Sequence, residues 1–250
     1  MYRFTKKKNE LKASICVSSN PFTIINSNQN LLTKLYNLIS SYQIGYSLSN
    51  HLSIFGNGFH CNRVTQSEIL RGYDAIYGNY GLKEINMGGG YFISNTINTF
   101  EMLFGLGYGE QFYKYNYSDY ELYYRFSMNN NRFNLFIQPD WGIKIEECVE
   151  MGLFSKFIYS RYYDINIELQ ENYPEYYNVK RHDYMLDRKT FNAFLIEPGL
   201  LFRFGGKKYK CQIQASTVIN PNTDKITTKL FYLNASSLFS FNLNRNKKIL

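Results

Sequence analysis

Strict alternation in the segment FNLFIQPDWGI, residues 133–143, is the feature that most constrains how this chain folds. Every second residue from Phe133 to Ile143 is apolar, whereas the residues between them are mostly polar or small. A β-strand sends successive side chains to opposite faces, so this pattern predicts a strand with one apolar and one polar face. The near copy FLIEPGLLFRF at residues 194–204 repeats the pattern.

The rest of the chain carries weaker versions of the same alternation, which predict ten strands in all. We place them near residues 11–17, 41–48, 51–61, 82–93, 100–109, 133–143, 149–160, 194–204, 209–217 and 231–243. The parity of the third strand is irregular, which indicates a bulge. A kink or bulge is also expected at Pro139 and Pro198, because proline lacks a ladder donor.

The connections between these strands alternate in length. Long ones span about residues 19–35, 62–81, 112–131 and 164–190, and short turns follow the second, fourth, sixth and eighth strands. Long loops at one end and short turns at the other are typical of transmembrane barrels. We therefore predict an all-β fold, a single antiparallel up-and-down transmembrane β-barrel of about ten strands, with eight to twelve possible. One domain would cover residues 1–250, with a basic lead-in at 1–10.

The two faces of the predicted strands differ in a way that indicates which one points inward. The polar parity combines small residues with charges that can pair in a narrow lumen, whereas bulky apolar side chains fit against lipid. The residues predicted to form a lumen charge network are Lys12, Glu101, Gln138, Asp140, Lys144, Lys156, Glu197, Arg203 and Lys210. The residues predicted to face lipid are Phe133, Leu135, Ile137, Trp141, Phe194, Ile196, Leu200 and Phe202.

A resemblance to a known family runs through most of the strands. The matching segments are LKASICVSSN (11–20), HLSIFGNGF (51–59), FEMLFGLGYG (100–109), FNLFIQPDWGIK (133–144) and IEPGLLFRFGGKKYKCQIQ (196–214). With them the chain resembles a family of Bacteroidetes outer-membrane β-barrel proteins. The resemblance implies export, insertion into the outer membrane of a Gram-negative bacterium, and a mature chain without its signal peptide. It implies no catalytic residues. The chain departs from the pattern by ending in NLNRNKKIL rather than on an aromatic residue, a role that Phe239 or Phe241 would then take.

Composition and charge exclude several other classes. No run of about 18 apolar residues exists, so the sequence predicts no transmembrane helix. The basic N-terminus lacks the apolar stretch of a signal peptide. The net charge of +8 is not gathered into a basic stripe beyond Lys6–Lys8, which argues against nucleic acid as a partner. The four cysteines lack the spacing of a zinc site, and they neither require nor exclude disulfides.

No motif indicates catalysis, so we expect no enzyme activity, no cofactor and no metal site. The segment GLGYG at 105–109 lacks the spacing of a phosphate loop and no helix follows it. Glu101, Asp140 and Glu197 suggest a glycosidase-like carboxylate pair, but the cations of the same parity favour an ion-pair network. The loop at 164–190 is a candidate for binding a glycan or a partner protein. Its candidate contact residues are Tyr173, Tyr176, Tyr177, Lys180 and Arg181.

These observations predict a cell-surface, outer-membrane barrel with a structural, narrow-pore or surface-interaction role. Both termini would lie in the periplasm and the large loops outside. The expected partners are outer-membrane lipid or lipopolysaccharide and, if the chain is an accessory subunit, members of a transport or secretion complex. The alternative is a soluble lipocalin-like barrel that carries a small apolar ligand. Since that barrel would bury its apolar face, the position of Trp141 distinguishes the two.

Overall fold

The computed structural model describes residues 10–19, 39–68, 75–118, 123–172, 189–206, 209–219, 221 and 230–242. Ten β-strands lie within these ranges. Their bounds are β1 (Glu10–Ser19), β2 (Ile39–Ser47), β3 (Leu52–Glu68), β4 (Ala75–Ser94), β5 (Asn98–Ser118), β6 (Tyr123–Glu146), β7 (Val149–Asn172), β8 (Phe191–Gly205), β9 (Tyr209–Val218) and β10 (Leu230–Asn242). In the same ranges, no helix is long and apolar enough to cross a membrane.

The ten strands form one closed antiparallel barrel in which each strand pairs with its neighbours in sequence. The first strand closes the ring by pairing with the last, with Leu11 opposite Phe241 and Val17 opposite Ala235. Where this ring is complete, closure leaves no sheet edge with a row of unpaired backbone groups. The predicted all-β, up-and-down barrel of about ten strands is therefore confirmed.

Alternate side chains lie inside and outside the barrel, and the inside is the polar side. Along β6, Phe133, Leu135 and Trp141 are exposed, whereas Asn134 and Asp140 are buried. Across the described residues, fifteen polar or charged residues are buried against ten hydrophobic ones. A water-soluble barrel has the opposite arrangement, because it hides its apolar side chains from solvent.

Five strands, β3 to β7, are longer than a membrane crossing needs. They have 17, 20, 21, 24 and 24 residues, whereas a transmembrane strand takes about 9–11. We define the rim of the barrel by the first residues of β2 and β8, where Ile39 lies opposite Cys61 and Phe191 opposite Tyr162. Of the described residues, only those of β3 to β7 continue beyond this rim. We call this extension the tall wall (residues 62–68, 75–81, 112–118, 123–131 and 163–172).

The tall wall corrects the predicted loops. Most of 62–81 and 112–131, and the first part of 164–190, is strand rather than loop. These segments are rich in Tyr and Asn and lack the strict alternation that marks a half-buried strand. The sequence pattern therefore did not predict them as strands. The predicted loop at 19–35 lies outside the described residues apart from Ser19.

The predicted bulge in β3 is wrong. This strand pairs in a single register with both β2 and β4. Its irregular sequence parity arises because Phe55 and Phe59 point into the barrel, where they contact Phe136 and Cys61 respectively. An interior of mixed polarity thus explains the pattern without any change of face.

A kink or bulge was predicted at the two prolines, and the bulge is wrong because neither proline shifts its strand out of register. β6 keeps the same register with β7 on both sides of Pro139, and Pro198 lies directly opposite Ser155. A proline removes one ladder donor, but it adds no residue to the strand. Register shifts in the β6–β7 ladder occur instead next to Asn130 and next to Ile145.

Short polar turns join the strands at the end opposite the tall wall. Ser49 Oγ accepts hydrogen bonds from two backbone N–H groups of the β2–β3 turn, at 3.2 and 3.0 Å. Asn95 Oδ1 does the same in the β4–β5 turn, at 2.9 and 2.5 Å. Gly205 ends β8 with φ of 133°, a conformation that favours glycine. Local acceptors of this kind stabilise tight turns over continued strand.

Glycines allow aromatic rings to cross the barrel interior. Gly88 and Gly105 lie opposite each other on β4 and β5. A Cβ added at Gly88 would overlap the carbonyl oxygen of Phe104 and lie 2.8 Å from the Phe55 ring, and one added at Gly105 would overlap the Phe136 ring. The sheet therefore needs glycine where these rings approach the backbone.

Gly88→Ala is expected to lower the free energy of unfolding by about 1–3 kcal/mol, the usual cost of overpacking a filled interior. The matched control is Gly56→Ala, because its new Cβ would meet nothing closer than 3.8 Å. Both substitutions restrict the unfolded chain equally. The difference between their urea midpoints in detergent therefore measures the steric effect, and equal midpoints would contradict the close packing at Gly88.

Candidate functional site

Ten charged side chains of the described residues are buried or half-buried, and they share the inward parity of their strands. Five are cations and five are carboxylates. The cations are Lys12, Arg132, Lys156, Arg203 and Lys210, and the carboxylates are Glu84, Glu101, Asp140, Glu150 and Glu197. Buried charge is tolerated when it is paired and hydrogen-bonded. The described interior is thus formally neutral, although the chain as a whole carries +8.

Arg203 is the centre of a group near the short turns that we call the lower charge cluster. The members of this cluster are Lys12, Glu101, Gln138, Asp140, Glu150, Arg203, Lys210 and Gln212. Arg203 is 1% exposed, its Nη1 lies 3.8 Å from Glu150 Oε2, and its Nε donates to Gln212 Oε1 at 2.8 Å. Glu150 also pairs with Lys210. Side chains from β7, β8 and β9 are thereby tied together inside the barrel.

Glu101 and Asp140 complete the lower charge cluster from β5 and β6, where they lie directly opposite each other. Each is 1% exposed. Gln138 Nε2 donates to the two Asp140 oxygens at 3.1 and 3.3 Å, and both carboxylates act electrostatically on Arg203. Like charges side by side repel, so a nearby cation is needed to hold them. No group of three or more His, Cys, Asp or Glu in the described ranges could hold a metal ion.

Glu84 organises a second group closer to the rim, the upper polar network. Its Oε2 accepts from Asn134 Nδ2 at 2.9 Å and pairs with Arg132, and its Oε1 accepts from Asn86 Nδ2 at 2.7 Å. Ser160 donates to Asn134 Oδ1 at 2.7 Å. The network therefore links β4, β6 and β7.

β5 lies between β4 and β6 and contributes glycines to the upper polar network. Their missing side chains leave room for the side chains of the neighbouring strands. A Cβ added at Gly107 would overlap Asn86 Oδ1, and one added at Gly109 would lie 3.3 Å from Arg132. The segment GLGYG at 105–109 thus lets long polar side chains cross β5.

An apolar layer separates the two charged groups. The Phe55 and Phe136 rings lie 6.1 Å apart, and Phe154 packs against Leu201. Lys156 Nζ sits 4.3 Å from the centre of the Phe136 ring, a cation–π contact. A hydrophobic constriction opposes the passage of hydrated ions by excluding water. These side chains lie between the lower charge cluster and the upper polar network, where they narrow the described interior.

Two opposite charges interact electrostatically beside the apolar layer. Lys156 and Glu197 face each other across β7 and β8. Ser216 Oγ donates to Glu197 Oε1 at 2.9 Å. The Ser216 hydroxyl and the Lys156 side chain thus both stabilise the charge of the Glu197 carboxylate.

The structure brings most of the predicted network residues together inside the barrel. Buried or half-buried are Lys12, Glu101, Gln138, Asp140, Lys156, Glu197, Arg203 and Lys210. Lys144 is the exception, and its predicted place in the lumen charge network is wrong. It is exposed near the turn end of β6, where the ladder shifts register before Glu146, so it lies outside the cluster.

The predicted lipid-facing residues are distributed over the outer surface. Exposed among them are Phe133, Leu135, Ile137, Trp141, Leu200 and Phe202, and half-buried are Phe194 and Ile196. Trp141 is 47% exposed. The predicted loop contacts lie outside the described residues, namely Tyr173, Tyr176, Tyr177, Lys180 and Arg181.

Three charged members of the interior were missed from the sequence. Glu150 shares the inward parity of Gly152 and Lys156 in β7, so the alternation alone could have found it. Glu84 precedes a run of three glycines that weakened the pattern of β4, and Arg132 follows a segment predicted as loop. A period of two counted back from the clear strand cores identifies all three.

Comparisons with known proteins show no family for this chain. No family model matches the chain and no curated protein matches it. The outer membrane protease OmpT of Escherichia coli has a TM-score of 0.49 at 10% identity, over 96% of each chain. The attachment protein Ail of Yersinia pestis has a TM-score of 0.36 at 10% identity, over 94% of this chain and 100% of Ail. An outer membrane channel of Pseudomonas putida F1 has a TM-score of 0.35 at 8% identity, over 96% of this chain and 98% of the channel. Likeness at this level transfers no activity to this chain.

Proposed function

We propose that this chain is an outer-membrane β-barrel that is closed to ions and acts by recognition at its tall wall. The observation that carries the proposal is the charge-balanced described interior beneath that wall. Ten interior charges compensate one another, and the apolar layer lies between the two polar groups. A water-filled pore needs a continuous polar lumen instead.

The outer surface supports placement in a membrane. Phe133 to Ile143 spans roughly 33 Å along β6 at about 3.3 Å per residue. At a usual strand tilt of about 40° this corresponds to roughly 25 Å, the height of the apolar band of transmembrane barrels. The neighbouring strands expose matching apolar side chains, for example Phe104 and Leu106 on β5 and Leu153 on β7. The lipocalin-like alternative is disfavoured because its ligand would need an apolar interior.

The two unlike ends of the barrel support one orientation in the membrane. Transmembrane barrels keep short turns in the periplasm and longer segments outside. The tall wall would then project from the cell surface and both termini would lie in the periplasm. Lipopolysaccharide and the subunits of a larger complex are the partners available there, and the Bacteroidetes assignment belongs to the same proposal. Tyr173 and Arg181, which lie outside the described residues, stay candidates for such contacts.

Planar-bilayer recording tests the closed interior. The purified full-length chain is expected to insert without producing stable conductance, because the apolar layer and the two charged groups occlude the lumen. Membrane fractionation of producing cells provides the control for insertion, since the chain should resist extraction until detergent is added. Large, stable single-channel currents would overturn the proposal, as would recovery of the folded chain in the soluble fraction without detergent.

A further inference from the structure

Asn130 lies at the rim, where the closed ring gives way to the tall wall. The hydrogen-bonded row that contains it runs from Ile39, the first residue of β2, through Cys61, Leu82 and Gln111 to Asn130. Above this row β2 no longer contributes to the barrel. The row is thus the floor of the space that the tall wall borders.

The Asn130 side chain is buried without a protein partner. It is 4% exposed, and neither its Oδ1 nor its Nδ2 makes a hydrogen bond in the described structure. Directly opposite on β5, Gln111 Oε1 is buried and unpartnered too. Arg132 Nε, two residues further along β6, is also buried without a hydrogen-bond partner in the described structure. Buried polar atoms are normally paired, so several in one place point to a ligand.

The backbone is irregular at the same place. Asn129 lies opposite Asn166 and Asn131 opposite Tyr163, so Asn130 faces two residues of β7 instead of one. One of those two, Asp164, has φ of 51°, and it accepts a hydrogen bond from Asn131 Nδ2 at 3.2 Å. A bulge with a residue in the left-handed region re-aims side chains and is common beside binding sites.

An aromatic platform adjoins these amides. Tyr162 lies opposite Arg132 across β6 and β7. It is 9% exposed and stacks on Phe191, with ring centroids 4.3 Å apart and planes at 11°. A stacked ring pair beside hydrogen-bonding groups offers an apolar face and polar contacts together.

The chemistry of the unpartnered atoms selects a neutral, hydroxyl-rich ligand. Asn130 Nδ2 and Arg132 Nε donate, whereas Asn130 Oδ1 and Gln111 Oε1 accept. A hydroxyl group does both, so a polyol can satisfy the whole set. The charge of Arg132 is already compensated by Glu84, which removes the main attraction for an anion. The flat Tyr162–Phe191 stack suits the C–H face of a sugar ring.

We infer that the rim holds a saccharide-binding site built from Asn130, Gln111, Arg132 and Tyr162. This rests on the proposed function, because the ligand would enter from the outer side along the tall wall. The ligand class recognised at the tall wall would then be an uncharged saccharide rather than a phosphate or a peptide.

The test is calorimetric titration of the full-length chain in detergent micelles with glucose, galactose, mannose, N-acetylglucosamine and maltotriose. At least one is expected to bind saturably. Asn130→Leu should weaken that binding by roughly tenfold or more, the effect of losing a buried hydrogen-bonding group. Asn129→Leu is the matched control, because Asn129 is exposed next to the site and should leave the affinity unchanged. Glucose 6-phosphate should bind no more tightly than glucose.

Several results would overturn this inference. They are saturable binding of none of these sugars, equal affinity of wild type and Asn130→Leu, and preference for the phosphorylated sugar. If Asn130→Leu fails to fold, Gln111→Leu takes its place with the same expected loss. Absence of sugar binding by a membrane-inserted barrel without conductance defeats this inference alone, whereas stable conductance of the wild type defeats the proposed function.

Discussion

Replacing Arg203 by methionine is expected to lower the free energy of unfolding by about 3–5 kcal/mol, the cost of breaking a buried ion pair from one side. Arg203 is 1% exposed and lies 3.8 Å from a carboxylate oxygen of Glu150. It also acts on Glu101 and Asp140. Methionine keeps much of the volume but leaves these carboxylates without their shared cation. Urea unfolding in detergent, followed by the fluorescence of the single tryptophan, measures the loss.

Arg125→Met is the matched control for this experiment, because Arg125 is exposed on the tall wall. Its effect should stay within about 0.5 kcal/mol. Adding Glu150→Gln to Arg203→Met removes one of the stranded charges and should recover part of the loss. The difference from additivity is the coupling between the two side chains, on the order of 0.5–3 kcal/mol for groups in contact. Equal stability of the Arg203 and Arg125 variants would show that the lower charge cluster does not stabilise the barrel.

The fold could be predicted because a strand's period of two is visible wherever one face is uniformly apolar. Phe133, Leu135 and Trp141 alternate with residues that the barrel buries, and this contrast fixes both the strand and its faces. The number of strands and their up-and-down order then follow from the short turns. The pattern weakens where Phe55 and Phe59 point inward, and there the sequence wrongly indicated a bulge.

The tall wall could not be predicted, because its cause is pairing rather than alternation. In 123–131 and 163–172, neither face is uniformly apolar, so the period of two disappears although the ladder continues. Backbone hydrogen bonds to a neighbouring strand extend such segments, and a single sequence does not reveal their register. The bulge opposite Asn130 is invisible for the same reason.

The parity of the interior charges was predictable, but their partners were not. Lys156 and Arg203 are marked as inward by alternation alone. That Arg203 contacts Glu150, and that Lys156 lies over Phe136, depends on how far each strand is shifted along its neighbour. A shift of two residues would keep every face and exchange every partner.

Ile137→Arg is expected to lower the free energy of unfolding in a bilayer by about 2–4 kcal/mol, the cost of a cation at mid-membrane on the lipid face of a barrel. Ile137 lies near the centre of the apolar stretch between Phe133 and Ile143 and is 37% exposed. In a water-soluble barrel the same exposed substitution would change stability by only about 0.5 kcal/mol. Urea titration in lipid vesicles measures the loss of stability and distinguishes a membrane barrel from a water-soluble one. Trp141 fluorescence reports the unfolding, since Trp141 lies on the same outer face as Ile137.

Ile145→Arg provides the control with the same chemical change at a different depth. Ile145 is 56% exposed and lies at the turn end of β6, where the interface should reduce the cost of a cation to about 0–1 kcal/mol. A clear difference between the two arginine variants requires a medium that is apolar at Ile137 and aqueous at Ile145, which only a membrane supplies. Equal, small effects at both positions would mean that the apolar band faces water, and the membrane assignment would then be wrong.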